Sequence, residues 1–351
     1  METTSIPTLR PLRLGELLDQ AMRLYRRNFL TFVGIIALGY IPYALIQIIS
    51  TAAYAASMEG MQIDPESILT SAPYWLSLLG ILFSGVVYAI FITGLGTAAL
   101  TNAISRSYLG QKTGILESYQ QLGSSSFHLL ISLLLFGLLS FVAFIWTIIP
   151  VVGWLSGPGL LVFMAGIVGP LIPAVVIIEK RSGFEPISRA WDLARRRFWW
   201  LLGFAVIFYL FNTLVVTGPT ALISYLAAIV LGQGGSFENA NTISTLISSV
   251  AGSLLQLLIL PIQLTAWTLV YFDLRVRTEG FDLALSTLEP SESAAVELSS
   301  LPTTAPAQKW LTGDDIGKFV VISLVVIGVY ALLMALGLGA AFALSNLLGG
   351  S

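Results

Sequence analysis

The chain has 351 residues, of which 56% are hydrophobic and only 10% charged, and its mean hydropathy is +0.86. A soluble domain carries about 25% charged residues, so most of this surface faces lipid, which excludes a soluble enzyme, a nucleic-acid-binding module and a disordered regulator. The net charge of −2 offers no field to polyanions, and the absence of cysteine excludes disulfide frameworks, thiolate metal sites and cysteine nucleophiles.

The first predicted element is amphipathic. Leu14, Leu17, Leu18, Ala21 and Tyr25 form an apolar stripe, and Arg23, Arg26 and Arg27 accompany it. Asp, Glu, Lys and Arg are then absent from 28–58, 67–105, 118–178, 198–237, 239–272 and 319–351. A bilayer-crossing helix needs about 20 such residues, and the third stretch is too long for one crossing. Its turn-rich segment Pro150-Val-Val-Gly-Trp-Leu-Ser-Gly-Pro158-Gly reads as a hairpin loop. The expectation is an all-α bundle of seven transmembrane helices near 29–55, 74–101, 128–149, 158–178, 199–230, 243–271 and 319–346. The fifth is about 48 Å long at 1.5 Å per residue, well beyond a hydrocarbon core of about 30 Å. Thr217-Gly218-Pro219 is expected to kink it or to split off a re-entrant end. The first hydrophobic stretch is too long for a signal-peptide core and reads as a retained anchor.

Lys and Arg collect on the cytoplasmic side of membrane proteins. With the N-terminus inside, Arg10, Arg13, Arg23, Arg26 and Arg27 precede the first helix, and Arg106 and Lys112 fall in the second loop. Lys180, Arg181, Arg189, Arg195, Arg196 and Arg197 fall in the fourth, and Arg275, Arg277, Lys309 and Lys318 in the sixth. This arrangement accounts for all 17 basic residues. Glu59, Asp64, Glu66 and Glu238 fall on the other side. The expected location is the cytoplasmic membrane, with the N-terminus inside and the C-terminus outside.

An internal repeat shows at an offset of 169. Gly15-Glu-Leu-Leu-Asp-Gln-Ala-Met-Arg-Leu-Tyr-Arg-Arg-Asn-Phe29 aligns with Phe184-Glu-Pro-Ile-Ser-Arg-Ala-Trp-Asp-Leu-Ala-Arg-Arg-Arg-Phe198. A fainter third copy is Gly114-Ile-Leu-Glu-Ser-Tyr-Gln-Gln-Leu-Gly-Ser-Ser-Ser-Phe127. In the second copy Ile187, Ala190, Trp191, Ala194 and Phe198 make one apolar stripe, with Arg189, Asp192, Arg195 and Arg196 opposite. Such elbows are expected to lie in the interface, apolar face in acyl chains and basic face toward anionic headgroups. Each leads into a pair of helices, so the repeat axis is expected along the membrane normal. The alternative is that an Arg-Arg pair before a span merely marks the inner interface.

Two segments carry a family resemblance. The elbow Glu185-Pro-Ile-Ser-Arg-Ala-Trp-Asp-Leu-Ala-Arg-Arg-Arg-Phe198 is one. The other is Pro261-Ile-Gln-Leu-Thr-Ala-Trp-Thr-Leu-Val-Tyr-Phe-Asp-Leu-Arg-Val-Arg-Thr-Glu-Gly-Phe-Asp-Leu283. Over roughly residues 10–285 the chain resembles the glycerophosphoryl diester phosphodiesterase membrane-domain family of bacterial integral membrane proteins. The resemblance implies a fold and a location, not an activity. The phosphodiesterase barrel joined to some members needs His pairs and acidic metal ligands, whereas this chain has one histidine, His128.

No ionisable residue falls deep in a predicted span, which argues against ion-coupled transport and intramembrane proteolysis. His128 reads as an interfacial hydrogen-bonding side chain. Gly153-Trp-Leu-Ser-Gly157 imitates a nucleophile turn without a base nearby, and Gly337-Leu-Gly-Ala-Ala-Phe-Ala343 imitates a dinucleotide fingerprint inside an apolar helix. Ala331, Ala335 and Gly339 make a small-residue face on helix 7, suited to docking within the chain or to a homo-oligomer or protein partner. Gln47, Asn102, Asn212, Gln256 and Gln263 read either as interhelical hydrogen-bonding groups or as the polar lining of a cavity at the midplane. Asp273, Arg275, Arg277, Glu279 and Asp282, just past helix 6, form either a headgroup site or a salt-bridged helix end.

Residues 289–308 read as a disordered cytoplasmic tether. The expected organisation is a six-helix membrane domain over 1–285, a linker over 286–317 and a seventh helix over 318–351. The candidate anionic-lipid contacts are Arg26, Arg27, Arg195, Arg196, Arg197, Arg275 and Arg277. The expected partners are membrane lipids; no cofactor, metal or nucleic-acid partner is expected. The expected role is a non-catalytic scaffold or a partner- and lipid-binding module, with a channel or a lipid or solute translocator as the alternative.

Overall fold

A computed structural model describes residues 11–58, 65–111, 113–234, 237–286 and 311–348. Every regular element among them is helical. The first elbow is α1 (Leu14–Arg27), followed by α2 (Phe29–Met58) and α3 (Ala72–Tyr108). The third elbow copy is α4 (Ile115–Gln120), followed by α5 (Ser125–Trp146) and α6 (Val152–Glu179). The second copy is α7 (Glu185–Arg196), followed by α8 (Phe198–Val230), α9 (Phe237–Glu279) and α10 (Gly313–Leu348). Among the described residues, α2, α3, α5, α6, α8, α9 and α10 are the seven helices long enough and apolar enough to cross a membrane.

The hairpin between α5 and α6 lies earlier than expected. The chain turns over 147–151, with Val151 at φ 63°, and Pro158 sits inside α6. Gly153 and Gly157 serve packing, not the loop. A Cβ at Gly153 would collide with the Trp146 carbonyl oxygen, and one at Gly157 would meet the Thr147 side chain. The fifth span is one continuous helix, not a helix plus a re-entrant piece. A π-helical turn over Thr213–Thr217 precedes Pro219 and carries the helix past it. Similar π turns occupy Tyr88–Gly96 in α3 and Met164–Val168 in α6. In α3 the Thr97 hydroxyl donates to the Ile92 carbonyl at 2.9 Å. The helix α10 starts at Gly313, before the expected 318, because Thr312 and Asp315 close a capping box. The Asp315 carboxylate accepts from the Thr312 N–H at 3.0 Å, and the Thr312 hydroxyl accepts from the Asp315 N–H at 3.3 Å. The expected tether at 289–308 lies outside the described residues.

The elbows α1 and α7 depart from the expected flat, lipid-facing arrangement. The Leu12 N–H donates to Asp273 at 2.8 Å, and the Tyr25 hydroxyl donates to the Leu258 carbonyl at 3.0 Å. These two contacts lay α1 antiparallel along the last part of α9, with Leu17, Ala21 and Tyr25 buried. The second elbow is buried on both faces: Ile187, Ala190 and Leu193 on one, Arg189 at 6% and Asp192 at 7% exposure on the other. Protein, not acyl chain, covers these apolar stripes. The short α4 keeps the expected character in part, since Leu116 is exposed while the Tyr119 hydroxyl donates to the Ile35 carbonyl at 2.7 Å.

The joints of the two better copies share a backbone conformation. Asn28, between α1 and α2, has φ −117° and ψ 26°, and Arg197, at the matching position between α7 and α8, has φ −131° and ψ 41°. Phe29 and Phe198 then start the two spans.

Burial divides the bundle along its length. At one end Ala98–Ile104 of α3, Leu171–Val176 of α6 and Ala266–Leu274 of α9 pack into the densest core. Toward the other end Leu45, Leu79, Leu138, Leu214 and Val230 point outward, as lipid-facing residues do. With 43 residues, α9 is about 65 Å long at 1.5 Å per residue, twice a hydrocarbon core of about 30 Å. The charged residues gather on its C-terminal part, with α1 and α7 alongside, and form a charged end of the bundle.

Candidate functional site

Two interleaved i, i+4 pairs on the last turns of α9 build the charged end. Asp273 pairs with Arg277 at 2.8 Å and Arg275 pairs with Glu279 at 3.0 Å. The spacing sends the two pairs to different partners. Glu179, the last residue of α6, accepts from Arg189 at 3.1 Å, from Arg181 at 2.7 Å and from the Tyr271 hydroxyl at 2.8 Å. Arg189 also pairs with Glu279. Arg275 lies 4.4 Å from the Phe281 ring centroid, a cation–π contact under full burial. Burial alone would lower the Arg189 pKa, but the carboxylates of Glu179 and Glu279 outweigh it and hold it above the usual value.

The other carboxylate, Asp273, serves two guanidiniums. One oxygen accepts the Leu12 N–H, and the other accepts Arg277 Nε at 2.8 Å. Arg277 Nη2 donates to the Leu12 carbonyl at 2.6 Å. Arg197 Nη1 stands 3.7 Å from the second oxygen, beyond hydrogen-bond reach, and is buried without a hydrogen-bond partner among the described residues. Its guanidinium lies 5.1 Å from the Trp200 ring centroid. Burial, and next the charge of Arg277, lower the Arg197 pKa, while Asp273 opposes them.

The expected lipid contacts thus separate by environment. Arg26, Arg27 and Arg196 are exposed. Arg195 ties α7 to α10 through Asp315 at 3.5 Å. Arg197 and Arg277 keep 28% and 27% of their side chains exposed. Arg275 is fully buried in ion pairs, so its assignment as a lipid contact is corrected. The salt-bridged helix end is the arrangement found for Asp273, Arg275, Arg277 and Glu279.

The polar residues of the spans do not converge on one cavity. Gln47 bonds to Ser84 across α2 and α3 and donates to Thr51 at 3.2 Å. Asn102 is corrected from a midplane position: it lies one turn from Arg106 and donates to Gln121, at the end of α4, at 3.5 Å. Asn212, Gln256 and Gln263 are half-buried and not brought to Gln47 by any hydrogen bond among the described residues. A seam not anticipated from the sequence runs along α2. Tyr40 and Tyr43 rings lie 5.4 Å apart, and Tyr43 and Tyr88 rings 5.0 Å apart. The signal was the helical spacing of Tyr40, Tyr43, Gln47, Ser50 and Tyr54.

The serine of the apparent nucleophile turn has a structural role. Ser156 accepts from Trp146 Nε1 at 3.0 Å and donates to the Val152 carbonyl at 2.7 Å. Among the described residues no group of three His, Asp or Glu is placed to hold a metal ion. Ala331, Ala335 and Gly339 are exposed, whereas α10 docks on α6 through Phe319 and Ser323, with the Gly159 N–H donating to Ser323 at 2.8 Å. The chain matches no family model, no curated protein and no solved structure.

Proposed function

We propose that the protein is a non-catalytic scaffold of the cytoplasmic membrane, with its charged end in the cytoplasm, its N-terminus inside and its C-terminus outside. The observation that carries this reading is the division of its cations. Arg189, Arg275 and Arg277 are paired and rigidify the charged end, while Arg23, Arg26, Arg27 and Arg196 remain exposed beside the first residues of the spans. Exposed cations at that depth attract anionic headgroups. The resemblance to the glycerophosphoryl diester phosphodiesterase membrane-domain family agrees with the membrane location. The alternative, translocation along the polar seam, is less favoured because Gln47 and Ser84 satisfy one another and Gly80 packs tightly on Ser50.

Two measurements test the proposal. Reporter fusions at residues 62 and 235 are expected outside the cytoplasm, and a cytoplasmic signal at either overturns the orientation. Replacing Arg23, Arg26, Arg27 and Arg196 with Gln is expected to reduce the enrichment of anionic lipid around the purified protein. Unchanged enrichment overturns the lipid role.

A further inference from the structure

A guanidinium has five N–H donors; in Arg197 the buried Nη1 makes no hydrogen bond among the described residues and stands 3.7 Å from Asp273. It sits at the joint between α7 and α8, flanked by the Trp200 ring and the more distant Asp273 carboxylate. Arg277 stands across that same carboxylate, with Nε and Nη2 engaged. Two cations thus share one anion whose oxygens are already occupied, leaving a local excess of one positive charge. Both side chains remain about a quarter exposed, at 28% and 27%. The exposed Trp199 follows directly, so the pair lies where a span enters the membrane.

We infer that Arg197 and Arg277 form a discrete binding site for one phosphate group, either a lipid phosphodiester or inorganic phosphate. The inference rests on the anionic-lipid reading proposed above and narrows it to one saturable position. The exposed part of a planar guanidinium matches phosphate oxygens in geometry as well as charge. The phosphate would neutralise the excess charge, and Asp273 would hold both guanidiniums in register without filling the site.

The test uses the purified full chain, delipidated in an uncharged detergent, with melting followed during titration of phosphatidylglycerol and, separately, inorganic phosphate. A saturable rise in Tm is expected with at least one of them. A rise with the lipid alone assigns a headgroup, and a rise with inorganic phosphate assigns a phosphate from solution. Arg197→Gln is expected to weaken the apparent affinity roughly tenfold or more, as loss of charge-assisted hydrogen bonds does. Arg197→Lys keeps the cation opposite Asp273 but not the planar donors; it is expected to weaken binding less, and serves if the Gln variant does not fold. The double variant Arg26→Gln, Arg27→Gln is expected to retain the saturable rise. No saturable rise in the wild type, or unchanged affinity in both Arg197 variants, overturns the site. The two proposals fail separately: anionic-lipid enrichment without a saturable rise removes this site and leaves the general lipid role standing.

Discussion

Tyr271 and Glu179, 92 residues apart, meet through a 2.8 Å hydrogen bond in which the phenol donates to the carboxylate. The same carboxylate receives Arg189 from α7 and Arg181 from the following turn. One side chain at the end of α6 therefore fixes both the second elbow and the end of α9.

Removing that carboxylate leaves Arg189 with Glu279 alone, a carboxylate it shares with Arg275. Breaking a buried pair by deleting one partner costs about 3–5 kcal/mol, and Glu179→Gln is expected to lower stability on that order. Tyr271→Phe leaves the ion pairs in place and is expected to cost about 1 kcal/mol, a typical net hydrogen bond. Melting of both variants in detergent checks the ranking. Equal losses would show that Glu179 is not the hub.

Gly159 permits the approach of α10. A Cβ there would collide with the Phe319 backbone carbonyl, which has no flexible atom to give way. Gly159→Ala is expected to destabilise by about 1–3 kcal/mol, the range for overpacking, and to raise hydrogen exchange in α10. Unchanged exchange would place the docking contact elsewhere.

The seam between α2 and α3 should be energetically modest. Interhelical hydrogen bonds in membranes average about 0.6 kcal/mol, so Gln47→Leu is expected to shift stability by less than about 1 kcal/mol. A much larger loss on thermal melting would make the seam a principal support of the bundle and contradict this expectation.

Acid is expected to loosen the short elbow α4. The Gly114 N–H, then Gln121 and Arg106, hold the exposed Glu117 carboxyl below its ordinary range. A depressed carboxylate pKa stabilises the folded state above the unfolded value, and that contribution is lost as pH falls through the folded one. Hydrogen exchange over 114–121 should therefore rise in acid, and Glu117→Gln should remove the pH dependence. A pH-independent elbow in the wild type contradicts this.

The spans were legible because their defining property, a long run without charge, is local. Periodicity also located the elbow at Ile187, Ala190 and Trp191. It could not reveal what covers the opposite face, since Arg189 is buried by Glu279, 90 residues away. An arginine in solvent and an arginine in a buried pair have the same spacing. The hairpin was misplaced for a related reason: Gly153 and Gly157 signal a loop by composition, yet their backbones are needed for close packing against Trp146 and Thr147.

The order of synthesis gives the Glu179 hub a temporal dimension. Glu179 and Arg189 leave the ribosome well before Glu279, so the elbow α7 waits half-neutralised while two more spans insert. Closure of the charged end is thus a late event of biogenesis, and truncation before residue 279 should leave a nascent chain whose second elbow is open to proteases.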